Sequence, residues 1–122
     1  MKDKLELNMY VRTKWGYICK LININDFREP SMRYGIEANY LRDVMFIGDE
    51  DILKASHNII DLIEPEDYVN GVEVIDKEFD NFNEEYLQCG VGDYVICTYE
   101  VKDIKSILTK EQMEQMEYKV GE

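Results

Sequence analysis

Planar cations and flat aromatic faces are the residue types here best suited to chemistry with a ligand. All four arginines, Arg12, Arg28, Arg33 and Arg42, and the single tryptophan, Trp15, fall within residues 1–42 of the 122-residue chain. A guanidinium presents paired N–H donors to phosphate oxygens, and Trp, Tyr and Phe offer faces on which a purine stacks. Arg28 and Arg33 lie in an irregular stretch around Pro30, better placed than strand arginines to reach a bound molecule, and Arg12, Trp15 and Tyr17 precede them. Phe82, between Asn81 and Asn83 in an acidic, loop-like segment, has no periodic apolar partner. It is a candidate stacking residue, with Asn83 able to bond base edges or ribose hydroxyls. The plain alternatives are surface charges clustered by chance and, for Phe82, a loop anchored into the core.

Charge narrows the ligand class. The chain has 14 Lys+Arg against 26 Asp+Glu, a net charge of −12. Residues 1–42 carry eight basic and five acidic groups, a net of +3, and the remainder carry six and 21, a net of −15. Such a surface repels DNA, RNA and anionic membranes at long range. A local cationic, aromatic-rich pocket still accommodates one small phosphorylated ligand.

Catalytic signals are sparse. The only histidine, His57, stands beside Ser56, so a zinc site with two imidazoles is impossible and a triad would have to use His57 as its base. Gly90-Val91-Gly92 is followed by Val95 where a dinucleotide fingerprint needs glycine, and no G-K-[ST] occurs. The acidic run Asp76 to Glu85 lacks the central glycine of a calcium loop. Neighbouring carboxylates such as Glu84 and Glu85 read as a solvated face. No catalytic residue, metal or cofactor is expected. Cys19, Cys89 and Cys97 include no C-x-x-C pair and read as free thiols.

The elements that must position these residues are mostly strands. With 45% hydrophobic residues, a chain of this length suits one domain over 1–122, burying roughly two-thirds of its unfolded surface. Asn8 to Thr13 and Tyr17 to Ile22 read as a hairpin about Lys14-Trp15-Gly16. Asn23 to Tyr40 reads as a loop or irregular insertion, and Leu41 to Ile47 as a strand broken at Gly48. Ile52 to Ile63 is ambiguous, with strand favoured for its second half by β-branched content. Asn70-Gly71 between Tyr68-Val69 and Val72 to Ile75 predicts a type I′ turn. Gly92 to Val101 and Ile104 to Leu108 supply two further strands. Thr109 with Gln112 forms a capping box, Leu108 and Met113 hold staple positions, and a C-terminal helix follows. The expected fold is mainly β (α+β): an antiparallel curved sheet or partly open barrel with a C-terminal helix. Open sheet edges in so small a fold lead us to expect a homo-oligomer, a dimer or higher. The opening residues lack the apolar core of a signal peptide and no stretch of about 18 apolar residues occurs, so a soluble, cytoplasmic protein is expected.

Three blocks carry a resemblance. Lys54-Ala55-Ser56-His57-Asn58-Ile59-Ile60-Asp61-Leu62-Ile63 through Asp67-Tyr68-Val69-Asn70-Gly71 looks like small proteins carried by phages and prophages of Gram-positive bacteria. So do Tyr10-Val11-Arg12-Thr13-Lys14-Trp15-Gly16-Tyr17 and Ile104 to Gln112 with Glu117-Tyr118. Within that lineage, length and layout resemble the Thoeris anti-defence proteins of the first described family, phage sponges that trap cyclic ADP-ribose isomers made by a host TIR-domain enzyme without degrading them. The resemblance implies a recessed pocket in an oligomer, Phe82 as the base-stacking aromatic and Arg28 as a phosphate contact. It implies a small cyclic nucleotide such as glycocyclic ADP-ribose as ligand; the charge, for its part, leads us to expect no long nucleic acid or membrane as partner. The alternative is an acidic phage protein that inhibits a host nuclease or CRISPR effector by protein contact or nucleic-acid mimicry. A cyclic-nucleotide phosphodiesterase using His57 ranks behind both.

Overall fold

Alternating apolar residues in both halves of the chain build antiparallel sheets, as the mainly β expectation requires. The computed structural model describes residues 5–38 and 43–116. Among them the strands form two five-stranded antiparallel sheets, with one short C-terminal helix and no closed barrel. The chain divides into two compact units, Met1–Leu62 and Ile63–Glu122, and each sheet draws its strands from one of them.

The first unit holds β1 (Tyr10–Thr13), β2 (Ile18–Ile24), β3 (Tyr34–Ala38), β4 (Asp43–Ile47) and β5 (Ile52–Ser56), in the order β4-β3-β2-β1-β5. The β1–β2 hairpin turns through Lys14-Trp15-Gly16, where Gly16 has φ 90° and Thr13 N–H donates to Tyr17 O at 2.9 Å. Val11, Leu21, Tyr34, Ile36, Ile47 and Ile52 form the buried cluster, with Trp15, Cys19, Ile24, Met45 and Ala55 packed against it. Two expectations are corrected. Tyr34–Ala38, inside the stretch read as a loop, is a strand paired on both sides, because Tyr34 and Ile36 bury one face while Gly35 and Glu37 take the other. In Ile52 to Ile63 the first half is the strand, and Ile59–Leu62 is a 3-10 turn. Local side-chain bonds override β propensity there: Ser56 Oγ donates to Asp61 Oδ2 at 2.6 Å, Asn58 N–H donates to Ser56 Oγ, and Ile60 N–H donates to Asn58 Oδ1.

The second unit holds β6 (Tyr68–Val69), β7 (Val72–Phe79), β8 (Glu85–Val91), β9 (Tyr94–Tyr99) and β10 (Ile107–Leu108), in the order β10-β6-β7-β8-β9, then α1 (Lys110–Met116). Asn70 and Gly71 both have positive φ, 53° and 83°, and Val69 pairs with Val72 across them, as a type I′ turn demands. The capping box also forms: Gln112 N–H donates to Thr109 Oγ1, and Thr109 N–H donates to Gln112 Oε1 at 3.0 Å. Buried Asp67 adds a second cap, accepting Lys110 N–H at 2.9 Å and Glu64 N–H at 2.8 Å. β8 lies largely in sequence not read as a strand, and of Ile104 to Leu108 only Ile107–Leu108 is strand. Val101–Asp103 is a 3-10 turn, so the strand expected over Gly92 to Val101 narrows to β9.

The β8–β9 ladder contains a bulge. Register passes from Cys89↔Cys97 to Gly90↔Val95, leaving Ile96 as the extra residue. A Cβ at Gly90 would lie 1.8 Å from Tyr94 O, so only glycine lets the two backbones approach this closely.

Candidate functional site

The stretch between β2 and β3 folds back on itself. Asn25 N–H donates to Arg33 O at 3.0 Å, Arg28 N–H donates to Asn25 O at 3.2 Å, and Asn25 Oδ1 accepts Phe27 N–H at 2.9 Å. This Asx turn and the following 3-10 turn Pro30–Met32 fix Arg28 and Arg33 in one loop. Phe27, at its tip, is fully exposed.

Arg28 is laid on an aromatic ring. Its Cζ stands 4.3 Å from the centroid of Phe46 on β4, a cation–π contact of about 0.5–1 kcal/mol at an exposed position. Phe46 pairs with Gly35, where an added Cβ would lie 3.3 Å from Phe46 Cε1 and 3.0 Å from Val44 Cγ1. Glycine at 35 therefore leaves room for the ring. Arg28 Nη1 and Arg33 Nε are buried atoms without a hydrogen-bond partner among the described residues. Asp26 Oδ1 stands 3.9 Å from Arg33 Nε, an ion pair too long for a hydrogen bond. A buried N–H lacking an acceptor is destabilising until an oxyanion meets it. The loop thus offers two guanidiniums, one of them over an aromatic ring.

Arg12 takes a different place. It is fully buried, and its Nη1 donates to Leu62 O at 2.9 Å, tying the 3-10 turn Ile59–Leu62 to β1. Trp15 is half-buried against the core with the Lys14 ammonium 5.0 Å from its ring centroid, and Tyr17, also half-buried, donates its N–H to Thr13 Oγ1 at 3.1 Å. Phe82 and Asn83 belong to the second unit, at the tip of the β7–β8 hairpin. Asp80 Oδ1 accepts both Phe82 N–H and Glu84 N–H, Asn83 has φ 61°, and the Phe82 side chain is 85% exposed. The core-anchored alternative for Phe82 is therefore set aside. Arg28 and Arg33 share a loop; Phe82 and Asn83 share a hairpin tip.

No family model, curated protein or solved structure matches this chain.

A cleft of about 510 Å³ in the first unit is lined by Glu29, Pro30, Ser31, Gly48, Asp49, Glu50 and Asp51. Its four carboxylates and absence of arginine make it hostile to a phosphorylated ligand. Asp51 is engaged, with Lys14 Nζ 2.9 Å from Oδ1 and Gly48 N–H donating to Oδ2. Burial, together with a hydrogen bond to Asp49, raises the Tyr34 hydroxyl pKa. Among the described residues no three His, Cys, Asp or Glu side chains are grouped to hold a metal ion. Ser56 and His57 do not form a nucleophile–base pair in this arrangement. The hydroxyl hydrogen of Ser56 goes to Asp61, and His57 Nε2 lies 3.3 Å from Glu6 Oε2.

Sequence reasoning missed Phe46 and Gly35. Alternation in β4 contained the signal: Met45 and Ile47 point to the core, which leaves Val44 and Phe46 on the other face.

Proposed function

We propose that this chain is a non-catalytic binding protein that sequesters a small phosphorylated nucleotide, of the cyclic ADP-ribose isomer class, and so blunts Thoeris immunity in a phage-infected bacterium. The observation that supports it is the Arg28 guanidinium stacked on Phe46 with a buried N–H lacking an acceptor, in the same loop as Arg33. On the second unit, taken by itself, exposed Phe82 is a separate candidate stacking face, with Asn83 next to it in sequence. Sequestration needs binding without bond cleavage, and the engagement of Ser56 and His57 with Asp61 and Glu6 is consistent with that. Arg12 is left out of the site because its guanidinium serves the fold. The same reading takes the working form to be a cytoplasmic homo-oligomer. No helix among the described residues is long and apolar enough to cross a membrane.

Titration calorimetry with glycocyclic ADP-ribose tests this. Binding is expected, with intact ligand recovered after denaturation and affinity at least tenfold weaker in Arg28→Ala. No heat of binding, or recovery of a cleaved product, overturns the reading.

The carboxylate-lined cleft favours a second reading, an acidic inhibitor that presents carboxylates where a host nuclease or CRISPR effector expects phosphates. A partner captured that way dissociates steeply as salt rises, whereas a small ligand in a pocket loses little affinity.

A further inference from the structure

The strand register brings together two cysteines that sequence spacing leaves apart. Cys89 on β8 and Cys97 on β9 are direct cross-strand partners, so their side chains leave the sheet on the same face. Both are free thiols, Cys89 fully buried and Cys97 half-buried. Directly opposed residues of an antiparallel pair have Cα atoms about 4.5–5.5 Å apart, within the range a disulfide spans. In such pairs the Cβ atoms are generally about 4.5–5.5 Å apart, against about 3.8 Å in a disulfide, so closure at this register calls for the strands to draw together by about 1 Å. Two local features permit that movement. β9 is the edge of its sheet and pairs with β8 alone among the described strands, and the bulge at Ile96 interrupts the ladder immediately beside the pair. A disulfide closed under such strain is readily reduced, the property of labile rather than structural bridges. Cys19 faces Val11 across β1–β2 and has no such partner.

We propose that Cys89 and Cys97 form a reversible redox site, converted by a low-molecular-weight disulfide such as glutathione disulfide into a cross-strand disulfide that staples β9 to β8. Half-buried Cys97 reacts first. Its thiolate attacks one sulfur of glutathione disulfide, forming a mixed disulfide and expelling one glutathione thiolate. The Cys89 thiolate then attacks the Cys97 sulfur, forming the Cys89–Cys97 bond and expelling the second glutathione thiolate. Two thiol protons and two electrons leave the protein, and one glutathione disulfide becomes two glutathione thiols. Burial, with Cys97 beside it, pushes the Cys89 thiol up to about 11, and direct apposition to Cys97 offsets the small thiolate fraction by making the second attack intramolecular. Tyr99 lies two residues beyond Cys97 on β9 and so on the same face of the strand.

The test treats the folded protein with glutathione disulfide, then denatures it in acid, alkylates the remaining thiols under denaturing conditions and maps peptides by mass spectrometry. Reactive thiols are expected to fall from three to one, with a peptide joining Cys89 to Cys97 that dithiothreitol separates. The linked peptide should persist in Cys19→Ser and vanish in Cys97→Ser. Three thiols remaining, a glutathione adduct on Cys97 with Cys89 still alkylated, or a bridge between two copies each overturns the proposal. None of these outcomes depends on nucleotide binding, so this site and the proposed function stand or fall separately.

Discussion

Arg12 and Arg28 are chemically identical and do opposite work, and the difference lies in what surrounds them. Arg12 is enclosed and gives its guanidinium N–H to a backbone carbonyl, whereas Arg28 lies on a ring that is itself 39% exposed. Removing a buried, hydrogen-bonded cation strands its acceptor and leaves a cavity, while truncating a guanidinium on a surface ring loses little. Denaturant unfolding of Arg12→Ala should therefore show a loss of about 3 kcal/mol, against less than about 1 kcal/mol for Arg28→Ala. Equal small losses would mean that Arg12 is not a buried anchor. Nothing in the run Tyr10-Val11-Arg12-Thr13 announces this, because burial of position 12 depends on Leu62, fifty residues away. The loop arginines were legible as ligand candidates through Pro30 and the irregular pattern. Phe46, which completes the platform, was not, since its neighbour Arg28 is close only after three strands have paired.

Local chemistry made some elements readable and long-range pairing hid others. The Asn70-Gly71 turn and the Thr109/Gln112 cap are settled by residues within a few positions of one another, and both form as the sequence predicts. β3 contains Gly35 and follows Pro30, so its strand character is set by β2 and β4 on either side. β8 was obscured by the acidic run before it and by Gly90-Val91-Gly92 at its end. Asn70 shows how a turn residue reaches further than its turn. Its Nδ2 donates to Asp103 O at 2.9 Å, and its Oδ1 accepts Lys105 N–H at 2.8 Å and Ser106 N–H at 3.1 Å, positioning the segment that becomes β10. Asn70→Gly keeps the turn and loses these bonds; Asn70→Ala also forces alanine to positive φ. We expect losses of about 2 kcal/mol for Gly and about 1 kcal/mol more for Ala by chemical denaturation. Indistinguishable values would show that the side-chain bonds alone carry the effect.

Across the whole molecule, a net charge of −12 on 122 residues is a standing self-repulsion. Raising ionic strength screens it, with a Debye length falling from about 10 Å at 0.1 M to about 3 Å at 1 M. Tm should rise by roughly 3–6 °C between low salt and 0.5 M sodium chloride, equivalent to about 1 kcal/mol in a domain of this size. A Tm that stays flat or falls would show that the ion pairs, among them Lys14–Asp51 and Lys110–Glu64, outweigh the repulsion. The sequence showed the size of the charge but not its placement, which includes a cleft walled by four carboxylates in the half of the chain that holds every arginine.

Each sheet recruits its strands from its own half of the chain, and this sets an order for synthesis on the ribosome. β1 must wait for β5, since Tyr10 pairs with Ser56, yet by then β2, β3 and β4 have already emerged. All five strands of the first sheet are available to one another before Asn70-Gly71 leaves the exit tunnel. A growing chain can thus settle its amino-terminal half, including the Arg28 loop, while the acidic carboxy-terminal half is still being translated.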